Sequence, residues 1–134
     1  TKTLIPGDYL IVSKMNGKVL TQDQFNFMVT NTQLMGDKTQ IWSWDGLNFI
    51  NKDSGRYLDV FGNDETAGQP VTAYPNTNKT NQQFLIGQDG EIIAKHSNQV
   101  LDIRESDTRD YAYVMQWLPK GGRNQQWVFL KLQT

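Results

Sequence analysis

The apolar residues of this chain fall in short runs between polar segments, and no stretch keeps the period of about 3.6 residues that marks an amphipathic helix. β-Branched and aromatic residues dominate several runs, such as 9–13 and 71–74, and they favour a pleated, half-buried strand. Asp-Gly and Asn-Gly pairs punctuate the sequence between runs. The pattern therefore predicts an all-β fold. Among the strands expected are 9–13, 18–20, 25–29, 40–44, 47–50, 57–60, 71–74, 82–86, 91–94 and 128–132.

Three parts of the chain repeat the same order of residues. A triplet of Gln, any residue and an aromatic begins at Gln40, Gln82 and Gln125, so the intervals are 42 and 43 residues. A turn rich in Gly or Asn precedes the central strand of each copy, and both residue types take positive φ at low cost. A period of roughly 40 residues predicts an architecture of symmetric units.

The second and third copies share a longer pattern. Each has an Asp inside a short apolar run, an aromatic residue 15 positions later and an Asn 22 positions later. Such a spacing is too long for one helix face and suits a strand that folds back on a loop. The residues in this register are Asp59, Tyr74 and Asn81 in the second copy, and Asp102, Trp117 and Asn124 in the third.

In these features the chain resembles the ricin B-type lectin family, over nearly its whole length. The resemblance implies a β-trefoil with three repeats of about 40 residues, in which Trp42, Phe84 and Trp127 form core near the pseudo-threefold axis. We expect one lectin domain over 1–134. Its repeats are expected at about 7–45, 46–88 and 89–133.

A monosaccharide has one apolar patch of C–H groups and a rim of hydroxyls, so its site needs an exposed aromatic ring and a few fixed polar groups. A carboxylate is the strongest acceptor for neighbouring hydroxyls, because charge-assisted hydrogen bonds are short and strong. In the family that this chain resembles, such sites prefer galactose or N-acetylgalactosamine, whose axial 4-hydroxyl reaches the Asp. The implied roles are acceptor for Asp59 and Asp102, stacking ring for Tyr74 and Trp117, hydroxyl contact for Asn81 and Asn124, and support of the carboxylate for Gln82 and Gln125.

The position two residues before each stacking ring carries a hydrogen-bonding side chain in some members of the family. Thr72 fits that role, whereas Met115 does not, so Gln116 or the backbone is expected to substitute in the third repeat. The first repeat departs further, because Thr21 replaces the Asp and Thr39 the Asn, its loop is four residues shorter, and Gly36 stands 15 residues past Thr21. We expect two sugar sites and a first repeat that does not bind.

Composition narrows the alternatives. The 134 residues fit one domain, and the net charge of −1 with scattered basic residues argues against nucleic acid as a partner. No apolar run is long enough to insert in a membrane and no signal-peptide pattern is present, which with the absence of Cys favours a cytoplasmic or non-classically secreted protein. No metal or cofactor is expected. The expected partners are galactose-type glycans on glycoproteins or glycolipids, and a homodimer is compatible with the sequence.

Other interpretations stay open. Either Asp could be only a turn acceptor, and either ring could belong to the core. An enzyme is disfavoured, because the single His, His96, has no nucleophile elbow near it and the loop acids match no ligand pattern. A protein-binding trefoil such as a protease inhibitor has no reason to repeat Asp, aromatic, Asn and Gln in register. The chain could also be the targeting module of a larger toxin.

Overall fold

The computed structural model describes residues 1–133 as short strands joined by turns and 3-10 helices. The strands are β1 (Gly7–Ser13), β2 (Val19–Gln22), β3 (Val29–Thr32), β4 (Trp42–Trp44), β5 (Phe49–Asn51), β6 (Tyr57–Val60), β7 (Val71–Tyr74), β8 (Phe84–Ile86), β9 (Ile92–Ala94), β10 (Val100–Ile103), β11 (Ala112–Trp117) and β12 (Trp127–Lys131). The 3-10 helices are Lys38–Gln40, Phe61–Asn63, Thr80–Gln82, Arg104–Ser106 and Arg123–Gln125.

The strands form three equivalent sets of four, β1 to β4, β5 to β8 and β9 to β12. All the pairs are antiparallel, and β1 pairs with β2, β4 and β12, so that the last strand returns to the first. Three bridges between repeats follow the same symmetry: Met28 pairs with Thr72, Pro70 with Met115, and Tyr113 with Thr30. The all-β fold is therefore a β-trefoil, as the sequence predicts.

The core is built from equivalent residues of the three repeats. Trp42, Phe84 and Trp127 are at most 1% exposed and belong to one buried hydrophobic cluster. Trp42 is also anchored through its ring N–H, which donates a 3.1 Å hydrogen bond to the carbonyl oxygen of Leu20. Their assignment to the core is confirmed, so these aromatics are unavailable for ligand contact. Each buries a large apolar area.

The predicted strand at 25–29 is wrong. Residues 24–26 form a turn, because the Asp23 carboxylate accepts hydrogen bonds from the backbone N–H groups of Phe25 (2.8 Å) and Asn26 (3.1 Å). Such a local side-chain bond competes with strand pairing, and β3 begins only at Val29.

The 3-10 helices differ from the prediction that strands begin at Gln40 and Gln82. Gln40, Gln82 and Gln125 each end one of these helices, and the strand begins two residues later at the aromatic residue. Among residues 1–133, no helix has both the length and the apolar character needed to cross a bilayer.

Candidate functional site

The second repeat forms an open pocket of about 280 Å³ around Asp59. Asp59 lies near the end of β6, and the adjacent strand β7 ends at Tyr74, which is 46% exposed and lines the same pocket. Asn81, in the 3-10 helix before β8, contributes a third wall. The structure thus brings together the acid, the ring and the amide that the sequence pattern singles out.

The Asp59 carboxylate is held by a network of donors. Its Oδ2 atom accepts hydrogen bonds from Gln82 Nε2 (2.8 Å) and Asn81 Nδ2 (3.3 Å), and the Thr72 hydroxyl lies 3.4 Å from Oδ1. Gln82 is fully buried and also bonds the loop before it: it donates to the carbonyl oxygen of Pro75 (2.9 Å) and accepts from the N–H of Thr77 (2.9 Å). Gln82 therefore fixes both the loop and the acid.

Burial raises the pKa of Asp59 from 3.8 to about 6, although hydrogen bonds from Gln82 and Thr72, the nearby His96 and a hydrogen bond from Asn81 act in the opposite direction. At neutral pH the carboxylate is ionised but poorly solvated, so it is a strong acceptor for incoming hydroxyl groups. Asn81 Oδ1 is buried and has no hydrogen-bond partner within residues 1–133.

The third repeat reproduces this arrangement. Asp102 accepts from Gln125 Nε2 (2.8 Å) and Asn124 Nδ2 (3.2 Å), and burial raises its pKa as well. Gln125 donates to the carbonyl oxygen of Leu118 (2.9 Å), as Gln82 does to Pro75. The pocket is wider, at about 620 Å³.

Both candidate stacking rings lie outside the core. The pairing Tyr57–Tyr74 in the second repeat corresponds to Val100–Trp117 in the third, so the two rings occupy equivalent strand ends. Trp117 is partly exposed and lines the third-repeat pocket, with Lys120 Nζ 5.8 Å from its ring centroid. The alternative that these rings belong to the core does not hold.

Gln116 is not in the pocket, which corrects the expectation that it contacts the sugar. Successive side chains of a strand point to opposite faces, so Gln116 points away from the face of Met115 and Trp117. It is fully buried, accepts a 2.8 Å bond from Ser97 Oγ, and donates to the carbonyl oxygens of Asp64 (2.8 Å) and Thr66 (2.9 Å). Its contacts are structural.

Thr72 contacts the Asp59 carboxylate but does not line the pocket. It is 7% exposed and does not line the Asp59 pocket, although its hydroxyl faces the carboxylate. Met115, at the equivalent position, does line the third-repeat pocket.

The first repeat keeps the supporting Gln but lacks the acid and the aromatic ring. Gln40 Nε2 donates to Thr21 Oγ1 (3.1 Å) and to the carbonyl oxygen of Gln33 (2.8 Å), which matches the bonds of Gln82 and Gln125. Strand pairing joins Val19 to Thr32, so Thr32 and not Gly36 stands where the other repeats have a ring. The difference arises from the shorter loop of the first repeat. The residue 15 positions after Thr21 is Gly36, which lies four residues beyond the end of β3 at Thr32.

Several pocket residues were not identified from the sequence. Phe61, Asn63 and Lys79 line the second-repeat pocket, and Arg104 and Lys120 the third. They lie in loops that differ between repeats, so repetition gives no signal for them. The one available clue is that Phe61 and Arg104 directly follow β6 and β10.

Comparison with known proteins defines the class. The sequence matches the family described as ricin-type beta-trefoil lectin domain-like over residues 38–117 and again over 80–134, and the chain belongs to this family. Comparison with curated protein sequences gives no match.

Similar solved structures agree with this assignment. The designed threefold-symmetric protein ThreeFoil is 31% identical, with a TM-score of 0.87 over 94% of this chain and 99% of its own. The exo-beta-1,3-galactanase 1,3Gal43A from Clostridium thermocellum is 27% identical, with a TM-score of 0.83 over 98% of this chain but 31% of the enzyme. A ricin B-like lectin from Macrolepiota procera, solved with lactose, is 20% identical, with a TM-score of 0.82 over 98% of this chain and 100% of its own.

Proposed function

We propose that residues 1–134 form a single lectin domain with two binding sites for galactose or N-acetylgalactosamine, in the second and third repeats. The observation that carries this proposal is the duplicated arrangement of a buried acid, two supporting amides and a half-exposed ring. A structural role alone gives no reason for two desolvated carboxylates with raised pKa values, each at the base of an open pocket.

The chemistry of the pockets suits a galactose-type hexose. Its apolar C–H face would lie on Tyr74 or Trp117, and neighbouring hydroxyls would donate to Asp59 or Asp102. In the second site, Asn81 lines the pocket beside Asp59 and would contact a further hydroxyl. The first repeat offers Thr21 instead of a carboxylate and Thr32 instead of a ring, so it would contribute no site.

Two similar proteins support the sugar class. The Macrolepiota procera lectin was solved with lactose, and the Clostridium thermocellum enzyme that contains a similar trefoil acts on a galactan, as its name states. Both names point to galactose-containing glycans, which is the class that the resemblance implies for this chain.

Each site should bind a single sugar weakly. Two charge-assisted hydrogen bonds contribute about 1.5–3 kcal/mol each, and ordering costs reduce the sum, which leads to millimolar or sub-millimolar affinity. Two sites on one rigid domain would raise the avidity for clustered glycans on glycoproteins or glycolipids.

We also propose that binding occurs without hydrolysis. Most glycosidases use a pair of carboxyl groups about 5–9.5 Å apart, one of them a desolvated general acid. Asp59 is the only acid among the described residues that line the second pocket, and in the third pocket Glu105 accompanies Asp102 but its side chain is 82% exposed. Incubation with an aryl β-galactoside should release no product, and release of the phenol would overturn this part of the proposal.

Titration calorimetry with lactose tests the sites. The unmodified chain should show two sites, Asp59→Ala or Asp102→Ala one, and the double variant none. Thr21→Ala is the matched control at the equivalent position of the first repeat, and it should retain both sites. Lactose binding by a folded double variant would refute the assignment.

A further inference from the structure

A second groove adjoins the Asp59 pocket. The two share Phe61 and Tyr74 as walls, and the far side of the groove is formed by Phe27, Met28 and Arg56. Its volume is about 380 Å³. Asp59 lines the pocket but not the groove, so the acid and the cation face different spaces.

The pseudo-threefold symmetry explains why this groove is open. Arg56 follows the turn before β6, and Lys18 and Gln99 hold the equivalent positions before β2 and β10. Lys18 reaches the loop before β11, where it bonds the carbonyl oxygen of Thr108 (2.8 Å) and pairs with Asp110 (3.0 Å). Gln99 reaches the loop before β7 and bonds the carbonyl oxygen of Glu65 (2.6 Å). Both side chains are thus covered by the loop of a neighbouring repeat.

The corresponding loop for Arg56 is the short one. The segment between β2 and β3 has only six residues, 23–28, against ten in 61–70 and eight in 104–111. It covers one face of the guanidinium with the Phe27 ring, but it supplies no hydrogen-bond acceptor of the kind that the longer loops supply to Lys18 and Gln99. Arg56 therefore lines an open groove.

The charge of Arg56 has no acidic partner. No ion pair formed by residues 1–133 includes the Arg56 guanidinium. The one hydrogen bond of the guanidinium with these residues is a long contact of 3.5 Å from Nη1 to the carbonyl oxygen of Ala73. The guanidinium instead lies 3.5 Å from the ring centroid of Phe27. This stacking holds the group in place, and among residues 1–133 the other N–H groups of the guanidinium have no acceptor.

Phe27 has a left-handed backbone conformation at the end of the turn that begins at Asp23. Its φ is 60°, in the left-handed region that bulky residues rarely adopt. Its N–H donates to the carbonyl oxygen of Asp23 (2.9 Å), and its own carbonyl oxygen accepts from Ala73 (2.8 Å).

We propose that this groove binds an anionic group, a carboxylate or a sulfate ester, on the sugar unit next to the galactose-type residue in the Asp59 pocket. The inference rests on the proposed lectin function and specifies its ligand as an acidic glycan. A guanidinium matches the planar carboxylate and the oxygens of a sulfate through paired N–H donors. Phe61 and Tyr74 provide an apolar wall that is continuous between the two sugar units.

The test uses the Asp102→Ala protein, in which only the second site remains. Affinities are measured for lactose, lactose sulfate and sialyllactose. We expect at least one acidic ligand to bind about fivefold to tenfold more tightly than lactose at low salt, and the ratio to fall in 0.5 M salt, where the Debye length is only about 4 Å. Which acidic ligand is preferred distinguishes carboxylate from sulfate.

Arg56→Gln should bring the ratio of acidic to neutral affinity to about one, and Arg56→Lys should keep part of it. Arg123→Gln removes the same charge from an exposed position in another repeat and should leave the ratio unchanged. Lactose binding without any preference for acidic ligands, or a preference that survives in Arg56→Gln, would overturn the inference alone. A folded Asp102→Ala protein that fails to bind lactose would overturn the lectin proposal and this inference with it.

Discussion

Replacement of Asp59 by Asn should make the protein more stable while removing a sugar site. The Asp59 carboxylate is buried, and its pKa of about 6 records the cost of ionising it there. Asn has the same shape and no charge. Its oxygen can accept from Gln82 and Asn81, and its amide group can donate to the Thr72 hydroxyl, so every partner of the acid is kept.

The magnitude follows from the pKa. A rise from 3.8 to about 6 corresponds to about 3 kcal/mol. Because the folded state holds the proton more tightly than the unfolded state, this acid makes stability fall as pH rises from about 4 to about 6. Water in the open pocket reduces the effect, and we expect about 1–2 kcal/mol at pH 7, which is roughly 3–6 °C in Tm.

Thermal unfolding of both proteins from pH 3.5 to pH 8 measures this directly. The variant should have the higher Tm at pH 7, and the difference should vanish below about pH 4, where the acid is protonated in both states. Asp107→Asn is the control, since the pKa of Asp107 is lowered by its hydrogen bonds with Arg109 and its removal should not stabilise the fold. An Asp59→Asn protein that is less stable at pH 7, or a difference that does not change with pH, would refute the reasoning.

The other predictions concern the same pocket. Gln82→Ala should lower the free energy of unfolding by about 1–3 kcal/mol in urea, because it leaves the Thr77 N–H and the acid without their buried partner; an unchanged midpoint would contradict the role of Gln82. Tyr74→Ala in the Asp102→Ala protein should weaken lactose binding about fivefold to tenfold with little change in Tm, since the ring is half exposed, whereas Tyr74→Phe should bind as before. Lactose affinity at that site should fall about fivefold from pH 6 to pH 5, because the ionised fraction of Asp59 falls by about that factor when its pKa is about 6; affinity that is flat over this range would exclude an ionised Asp59 as the acceptor.

The fold was predictable because the chain repeats, and the pairing of each acid with a supporting Gln was implied by the resemblance to the ricin B-type family. Equal spacing in two copies placed Asp59 and Asp102 at the same strand position, and the buried Gln-x-aromatic triplets followed from their phase. Residues that recur at the same position in several repeats are identified by their spacing, whereas residues that occur in one repeat only are not.

The errors arose where one repeat differs from the others or where local bonding decides the backbone. Asp23 forms a turn in residues that have strand propensity, and the short first loop moves the equivalent of Tyr74 to Thr32. Gln116 was assigned to the wrong face, although alternation along β11 excludes it once Trp117 is in the pocket. The groove at Arg56 was not predictable, because it depends on a loop of another repeat.

A crystal structure of the protein with lactose tests most directly whether the two pockets hold sugar. We predict a galactose ring against Tyr74 with hydroxyls bonded to Asp59, a second against Trp117 with hydroxyls bonded to Asp102, and no sugar beside Thr21. Lactose bound elsewhere, with both carboxylates free of it, would contradict the proposed function.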